Sequence, residues 1–411
     1  MRLLDMTLKN IGPFDEAHLE FLPEGDDVTP VAVITGENGT GKTILLDAIR
    51  GLFGSHYTSI ERQIWRDDVP FHAKMTLQPE GEPLVLSSRN HYPNSTGLEP
   101  DNRSLWEVPI QTERRPSLCP RWVVDFWRSA LPNDGYEIAA MKPQQHPQFL
   151  RDSLKGIQRN AAVTELITAF DYLRGSDDAE EKRDGEALYE VMRKIVSLSV
   201  LDGELSHVDR RRFMPMIRQS GQVVPLSNLS SGNAYLIQHL IGLLGKMYAV
   251  HALCKTDAAD ICTTPGLLLI DEAENHLHPR WQKRFLKDVR TLFPNVQIVA
   301  TTHSPFIVGS VLGARVFVCS YDKQKDTCIV EDASTAYADK PIEEILLSPA
   351  FGTPPFGEDI SRLMEERKAA IDQGASEERE RIETQLKERN PEYFSFLDIE
   401  KRLEAMRGSR P

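Results

Sequence analysis

The stretch Gly36-Glu-Asn-Gly-Thr-Gly-Lys-Thr43 matches the phosphate-loop pattern G-x4-G-K-[ST] completely. The five residues before it, VAVIT at 31–35, form an apolar run that predicts a buried strand. The apolar positions of residues 44–53 recur at spacings of three and four and predict a helix. Because strand, glycine loop and helix in this order are the context that a nucleotide loop needs, the stretch predicts an α/β fold of the P-loop class.

Each residue type in this loop has a physical task. Glycines let the backbone turn its N–H groups toward phosphate oxygens, and the positive end of the following helix points at the same anion. Lys42 is expected to reach the β- and γ-phosphates of ATP, and the hydroxyl of Thr43 is expected to bind Mg²⁺. The predicted ATP-binding residues are Gly36, Glu37, Asn38, Gly39, Thr40, Gly41, Lys42, Thr43 and Ile44.

A second apolar run, LLLI, ends in the carboxylates Asp271 and Glu272. Taken alone, a hydrophobic strand that ends in acids is a weak signal, since any strand that leaves a core can do so. Together with a phosphate loop it predicts that Asp271 binds Mg²⁺ and that Glu272 is the general base for the attacking water.

A further apolar run ends at Thr301, and His303 follows it. A lone histidine in such a place more often caps a strand end. Its position after the acidic pair instead favours an imidazole that contacts the γ-phosphate or the attacking water. The predicted catalytic residues are Glu272, His303 and Lys42.

Leu229-Ser-Ser-Gly-Asn233 precedes a long apolar helix at about 235–250. Its serine hydroxyls and backbone N–H groups form an anion-seeking helix start, which taken alone is only a good N-cap. In chain order with the other motifs it is similar to the signature motif of ABC ATPases. Ser231 and Asn233 stand in place of a glycine and the glutamine of that motif.

These motifs resemble an ABC-type ATPase of the SMC/RecF/OLD-like group, over residues 2–55 and 223–320. DEAENHLHP at 271–279 and THSPF at 302–306 more narrowly resemble ATPases of bacterial anti-phage defence systems. The resemblance implies that Ser230, Gly232 and Asn233 of one subunit bind the triphosphate held by the other, in a head-to-tail homodimer or larger homo-oligomer. It also places residues 275–278 at that interface. No glutamine loop is evident, and the candidates for its role are Gln63, Arg89 and Arg128.

The fold expected from motifs and resemblance is an ABC-type P-loop NTPase head with an inserted helical subdomain and a helical C-terminal tail. The predicted segments are an ATPase lobe with the phosphate loop at 1–55, a β-rich part of that lobe at 56–133, an inserted helical subdomain at 134–222, an ATPase lobe with signature, carboxylates and histidine at 223–335, and a helical C-terminal region at 336–411.

Charge and composition narrow the class of partner. The net charge of −13 argues against a surface that is basic everywhere, although a local basic patch could still meet nucleic acid. No apolar run reaches membrane-spanning length, and the start of the chain is unlike a signal peptide. The five cysteines show no metal-ligand spacing. We expect a cytoplasmic protein without a membrane partner.

Two functions are consistent with the sequence. The resemblance to the ATPase subunits of the Septu and PARIS systems implies a regulatory ATPase that controls a separately encoded nuclease of the HNH or Toprim type. The roughly one hundred residues after His303 contain neither an acidic Toprim-like cluster nor a His-Asn-His metal pattern, which favours a separate effector. The alternative is a RecF-like DNA repair or recombination clamp, which predicts strong, salt-sensitive and ATP-dependent binding of duplex DNA.

Overall fold

The computed structural model contains two compact units, Met1–Ile345 and Leu346–Pro411. Two parts of the predicted segments, 102–118 of the β-rich part and 401–411 of the C-terminal region, lie outside the described residues. The structure describes residues 1–22, 31–54, 60, 62–67, 69–79, 81–91, 98–101, 119–142, 144–157, 159–256, 258–337, 340–348, 351–352 and 356–400.

The strands of the first unit are grouped in four sheets. In chain order they are β1 (Arg2–Ile11), β2 (Phe14–Glu20), β3 (Val31–Gly36), β4 (His72–Gln78), β5 (Leu84–Ser88), β6 (Asn90–His91), β7 (Leu98–Glu99), β8 (Val123–Trp127), β9 (Gly203–Asp209), β10 (Met214–Gln219), β11 (Gln222–Pro225), β12 (Gly266–Ile270), β13 (Val296–Thr301), β14 (Arg315–Asp322) and β15 (Thr327–Asp332).

The α-helices of the described chain are mostly short, apart from a few long ones in the middle and in the second unit. In order they are α1 (Lys42–Leu52), α2 (His146–Arg151), α3 (Ala161–Arg174), α4 (Ala179–Ser199), α5 (Ser231–Cys254), α6 (Pro279–Gln282), α7 (Phe285–Leu292), α8 (Pro305–Val308), α9 (Ser334–Tyr337), α10 (Ile342–Leu346), α11 (Glu358–Asp372) and α12 (Ser376–Arg389).

The central sheet has the order β15-β14-β3-β13-β12-β8, in which only the β14–β15 hairpin is antiparallel. Strands β3, β8, β12 and β13 are buried along their whole length, as expected for parallel strands covered on both faces. Since parallel strands end at one edge, the loops after these four strands meet there. The predicted α/β fold of the ABC-type P-loop class is confirmed.

A second sheet, of order β2-β1-β4-β5, is fully antiparallel. In β4 the residues Ala73, Met75 and Leu77 are buried and alternate with partly exposed neighbours. This period of two places one face of the sheet on the core that also holds the inner face of α1. Before the phosphate loop, β1 and β2 form an antiparallel hairpin.

Between β8 and β12 of the central sheet, the chain forms helices and a small sheet. Helices α3 and α4 pack closely, and a Cβ atom at Gly185 would lie only 2.1 Å from the backbone nitrogen of Arg174. The segment 134–222, predicted as helical, also contains β9 and β10 of the antiparallel sheet β11-β10-β9. These strands are short and their pattern is interrupted by polar turns, so the helical periodicity of the preceding residues dominated the prediction.

The apolar spacing of residues 280–292 indicates a single helix, but the structure divides this stretch into α6 and α7. At the junction the N–H of Arg284 bonds the carbonyl of Trp281, a tighter i→i+3 bond that ends the first helix. The division lets Phe285 and Leu286 both face the core. Periodicity alone does not mark such a break, because the apolar spacing continues across it.

Helix α5 is long and apolar enough to cross a membrane by length and composition alone, but 83% of its most apolar 18-residue window is buried inside the protein. It carries His239, which is 1% exposed and finds no hydrogen-bond partner for either ring nitrogen among the residues that the structure describes. The ring packs between Trp127, at a centroid distance of 5.0 Å, and Tyr235, at 4.3 Å. Burial, with smaller contributions from Lys246 and His276, lowers the pKa of His239 well below its ordinary value of 6.5.

We expect His239→Leu to raise the free energy of unfolding by about 1 kcal/mol at neutral pH, because it removes two unsatisfied polar atoms. As the pH falls below 6.5, the unfolded chain takes up a proton at position 239 that the folded chain refuses, so wild-type stability decreases on acidification. In His239→Leu, the contribution of this histidine to the loss of stability at low pH should be absent. Denaturant unfolding at pH 7.5 and 5.5 measures both effects, with exposed His207→Gln as the control that keeps the wild-type slope.

The second unit is built on the antiparallel pair α11 and α12. Its core consists mainly of Leu363, Ala370, Ile382, Leu386, Phe394 and Leu397. Glu383 is 1% exposed and accepts hydrogen bonds from Arg367 at 2.9 Å and Arg379 at 2.8 Å. Burial alone would raise the pKa of Glu383, but the hydrogen bonds from Arg379 and Arg367 lower it overall. The buried carboxylate is therefore held in its charged form.

Candidate active site

The phosphate loop has a backbone that only glycine adopts easily. Gly36, Gly39 and Gly41 have φ values of 142°, 82° and 92°. A Cβ atom at Gly36 would also lie 2.0 Å from the carbonyl oxygen of Cys319 on β14, so the loop is pressed against the neighbouring strand. At Gly39 a Cβ atom would meet nothing within 4 Å. The side of the loop at Gly39 is therefore open to an incoming ligand.

The ammonium group of Lys42 is folded onto the same loop. Its Nζ donates to the carbonyl oxygens of Gly36, at 2.9 Å, and Glu37, at 2.7 Å, and the residue is 6% exposed. Burial lowers the pKa of Lys42, while the nearby carboxylates of Glu274 and Glu272 oppose the shift. Since an ammonium group has three donors and two are used here, one N–H remains for a phosphate oxygen.

Thr43 and Asp271 meet although they are 228 positions apart. The hydroxyl of Thr43 donates to Oδ1 of Asp271 at 3.1 Å, and Thr301 donates to the same oxygen at 2.8 Å. Burial raises the pKa of Asp271, and the two hydroxyl hydrogen bonds reduce that effect. A desolvated carboxylate beside a hydroxyl provides hard oxygen ligands, the kind that Mg²⁺ prefers. The residues present therefore fit a magnesium ion at this edge.

Glu272 begins a tight turn after β12. Its φ of 52° is unusual for a residue with a side chain, and its N–H donates to the hydroxyl of Thr301 at 2.8 Å. The partly exposed carboxylate accepts a hydrogen bond of 2.5 Å from Nδ2 of Asn275. The chain thus places a carboxylate beside the Asp271 site, at the edge where the phosphate loop lies.

His303 lies at the end of β13, next to β12 in the sheet. Its backbone N–H donates to Oε1 of Glu274 at 2.6 Å, and the hydroxyl of Thr302 donates to Oε2 at 2.6 Å. Glu274 therefore connects the ends of two neighbouring strands and fixes the backbone that carries the imidazole. Burial, followed by the positive charge of Lys42, lowers the pKa of His303, so the ring is neutral at neutral pH.

The signature-like motif starts helix α5 with an exposed N-cap. The hydroxyl of Ser230 accepts from the N–H of Asn233 at 3.4 Å, and Ser230 and Ser231 are both exposed. Gly232 packs against the loop after β12, since a Cβ atom there would lie 2.3 Å from the carbonyl oxygen of His276. Within the described residues, Ser230 makes no hydrogen bond to the phosphate loop of its own chain.

The sequence offers three candidates for the role of the glutamine loop at the γ-phosphate, and the structure places them in different surroundings. Nε2 of Gln63 donates to the carbonyl of Trp65 at 3.1 Å and to Asp67 at 2.8 Å, on the surface. Arg89 is exposed. Arg128 lines a cavity of about 330 Å³ next to the magnesium ligands, and the full lining is Thr43, Asp47, Arg50, Ile60, Arg62, Phe126, Arg128, Ser129 and Asp271.

The hydrogen bonds of three residues around the site were not predicted from the sequence. Thr301 bonds both acids after β12, Glu274 holds the end of β13, and Asn275 bonds Glu272. A signal was present, since polar side chains continue beyond the acidic pair in EAEN and precede the histidine in TT. The partners of Thr301 and Glu274 were not evident, because they lie at the end of the neighbouring strand.

A phosphate loop after β3, an acidic pair after β12, a histidine after β13 and a signature-like helix start at α5 occur here in the order found in the ABC-type ATPases that the sequence resembles. Residues 120–309 match an AAA-domain family model whose description also names the AbiEii toxin of type IV toxin–antitoxin systems. Residues 5–84 match a second AAA-domain model.

The chain is similar to Septu protein PtuA of Bacillus thuringiensis, with 23% identity over 96% of this chain and 93% of that protein. It is 25% identical to the retron Vc95 probable ATPase of Vibrio cholerae, over 31% of this chain and 24% of that protein. It is 36% identical to the retron Ec83 probable ATPase of Escherichia coli, over 13% of this chain and 10% of that protein. The chain therefore spans most of PtuA but a quarter or less of the two retron proteins.

Solved structures with similar folds include the SMC head domain from Thermotoga maritima, with a TM-score of 0.44 and 16% identity over 81% of this chain and 99% of that chain. The recombination mediator RecF in its ATPrS complex has a TM-score of 0.41 and 14% identity, over 80% of this chain and 98% of that chain.

Proposed function

We propose that the chain binds ATP·Mg²⁺, hydrolyses ATP between two head-to-tail copies of itself, and thereby controls a separately encoded effector in anti-phage defence. The observation that carries the proposal is the contact of Thr43 with Asp271 beneath a glycine loop, with Glu272 and His303 at the same edge. Its setting is proposed to be the cytoplasm, without a membrane partner.

In this proposal the backbone N–H groups of the loop 36–43 and Lys42 bind the phosphates, and Thr43 and Asp271 hold Mg²⁺. The ion would screen the phosphate charge and orient the γ-phosphate. Glu272 accepts the proton of the attacking water, since its carboxylate lies beside the magnesium ligands. The neutral imidazole of His303 donates or accepts one hydrogen bond at the γ-phosphate or the water, a role that Glu274 supports by holding its backbone.

The dimer is proposed because both halves of a composite site are exposed on one chain. Glu37, Asn38 and Gly39 are exposed on the phosphate loop, and Ser230 is exposed at the start of a helix of 24 residues. A helix start of this kind attracts anions through its N–H groups and dipole. Stacking two copies head-to-tail would bring Ser230, Gly232 and Asn233 of one copy to the triphosphate of the other. ATP would then be buried between them.

The effector is proposed from the likeness to Septu protein PtuA, which extends over nearly the whole chain. A nuclease of the HNH or Toprim type is the expected partner. A DNA clamp of the RecF kind is the competing function. It would be favoured if the ATP-bound dimer bound duplex DNA tightly, with an affinity that falls steeply as salt rises, and if no neighbouring gene product co-purified with it.

Mixing two inactive variants tests the composite site. Ser230→Asp keeps a good N-cap but adds a negative charge where the γ-phosphate of the partner would lie. Lys42→Ala removes the phosphate-binding ammonium group. Each variant alone should be inactive. An equal mixture should recover about a quarter of the wild-type turnover, because half of random dimers are mixed and each has one intact site.

Steady-state phosphate release measures this recovery. A mixture of Ser230→Asp with the wild-type chain at the same total concentration calibrates the effect of dilution. If the mixture of the two variants stayed inactive while both variants were folded and mixed dimers were present, the head-to-tail site would be excluded.

A further inference from the structure

We infer that Asn275 is a positioning residue, which holds the carboxylate of Glu272 in the orientation needed to accept a proton from water. The inference rests on the proposed function, because it takes Glu272 as the general base. It concerns a side chain of this chain that lies outside the phosphate loop, the acidic pair and the histidine.

The side-chain amide of Asn275 makes two hydrogen bonds. Its Nδ2 donates to Oε2 of Glu272 at 2.5 Å and to the carbonyl oxygen of Ser129 at 3.3 Å. A carboxylate and a carbonyl are acceptors only, so the amide nitrogen rather than its oxygen must face both. Ser129 follows β8, the strand next to β12. Asn275 therefore ties the carboxylate to the end of a neighbouring strand.

The carboxylate of Glu272 needs a hydrogen-bond donor to fix its orientation, because the contacts that fix the backbone of Glu272 do not reach its carboxylate. The backbone is fixed by the bond from its N–H to Thr301. The last side-chain torsion of a glutamate has broad minima, so the plane of the carboxylate is free to rotate. Among the residues that the structure describes, Asn275 is the one that donates to this carboxylate. It occupies Oε2 and leaves Oε1 for a water.

A purely structural role for this side chain is weakened by the hydrogen bonds that the loop already has. The N–H of Ala273 bonds Thr301, that of Asn275 bonds Glu272, and that of Leu277 bonds Glu274, at 2.9, 2.9 and 3.0 Å. These backbone bonds hold the turn without the amide. Losing the amide should therefore disturb the orientation of the base more than the fold of the loop.

Asn275→Asp is the test, because aspartate has nearly the same shape but replaces the donor by a negative charge beside Glu272. Loss of a hydrogen bond to a charged group should lower kcat by about 10- to 100-fold. The KM for ATP should stay within about twofold, since the side chain of Asn275 bonds Glu272 and Ser129 and none of the proposed nucleotide-binding residues. In the Glu272→Gln background the same change should cause no further loss of turnover.

Asn295→Asp is the matched control. Its amide also donates to a backbone carbonyl, that of Thr263 at 2.7 Å, but it lies before β13, at the opposite edge of the sheet. This variant should hydrolyse ATP at the wild-type rate. Wild-type kcat in Asn275→Asp, or an equal further loss in the Glu272→Gln background, would overturn the inference. If Glu272→Gln itself kept wild-type turnover, the proposed base would be wrong instead.

Discussion

Glu272→Gln is expected to lower kcat by about 10²- to 10⁴-fold, the usual contribution of a general base, while ATP binding is kept. Glutamine preserves the size of the side chain but cannot accept the proton of the attacking water. Because the phosphate loop and the magnesium ligands are unchanged, ATP should still bring two copies together. The dimer should then persist, since the step that releases it is blocked.

Two measurements check this result. Single-turnover assays with radiolabelled ATP report the chemical step, and light scattering during size-exclusion chromatography reports the mass with and without ATP. Glu331→Gln, which removes an exposed carboxylate on β15, makes the same change in net charge and should behave as wild type. Wild-type turnover in Glu272→Gln would show that another group is the base.

Lys42→Ala should abolish measurable nucleotide binding, with a loss of affinity of at least about 100-fold. The ammonium group is 6% exposed and lies among three carboxylates, so its removal takes away the positive charge closest to the phosphates. The remaining negative charges of Asp271, Glu272 and Glu274 would then repel the triphosphate. Dimer formation in the presence of ATP should be lost as well.

Isothermal titration with a non-hydrolysable ATP analogue and Mg²⁺ measures this loss. Lys323→Ala, in the exposed turn between β14 and β15, is the control for removing one positive charge. Because Nζ of Lys42 bonds Gly36 and Glu37, thermal unfolding of both variants without nucleotide must show that the fold is kept. A folded Lys42→Ala protein with wild-type affinity would contradict the assignment of the phosphate loop.

Local patterns predicted many of the elements that carry the site. The strand before the phosphate loop, the helix after it, and the strands that end at Asp271 and Thr301 all lie within a few residues of their predicted bounds. Each is marked by its own periodicity or by a continuous apolar run, which depends only on neighbouring residues. No such pattern identifies strands β9 to β11 or the break between α6 and α7.

The network behind the predicted catalytic residues could not be predicted in the same way. Thr301 serves both acids, and Glu274 holds the end of β13, because β12 and β13 are adjacent and parallel. A strand's neighbours in a sheet depend on how the whole chain packs, and the spacing of residues along the sequence does not report them. The unpaired ring of His239 is likewise a property of packing.

The amino-acid sequence by itself determined the class of the nucleotide loop, the residue types of the candidate site and the order in which they occur. The tertiary structure decided that Thr43 and Asp271 touch, that Asn275 reaches the carbonyl of Ser129 and that the start of α5 stays exposed. The physical reason is that glycine turns, apolar runs and helix caps are set by nearby residues, whereas contacts across a sheet form only when distant segments bury their apolar faces together.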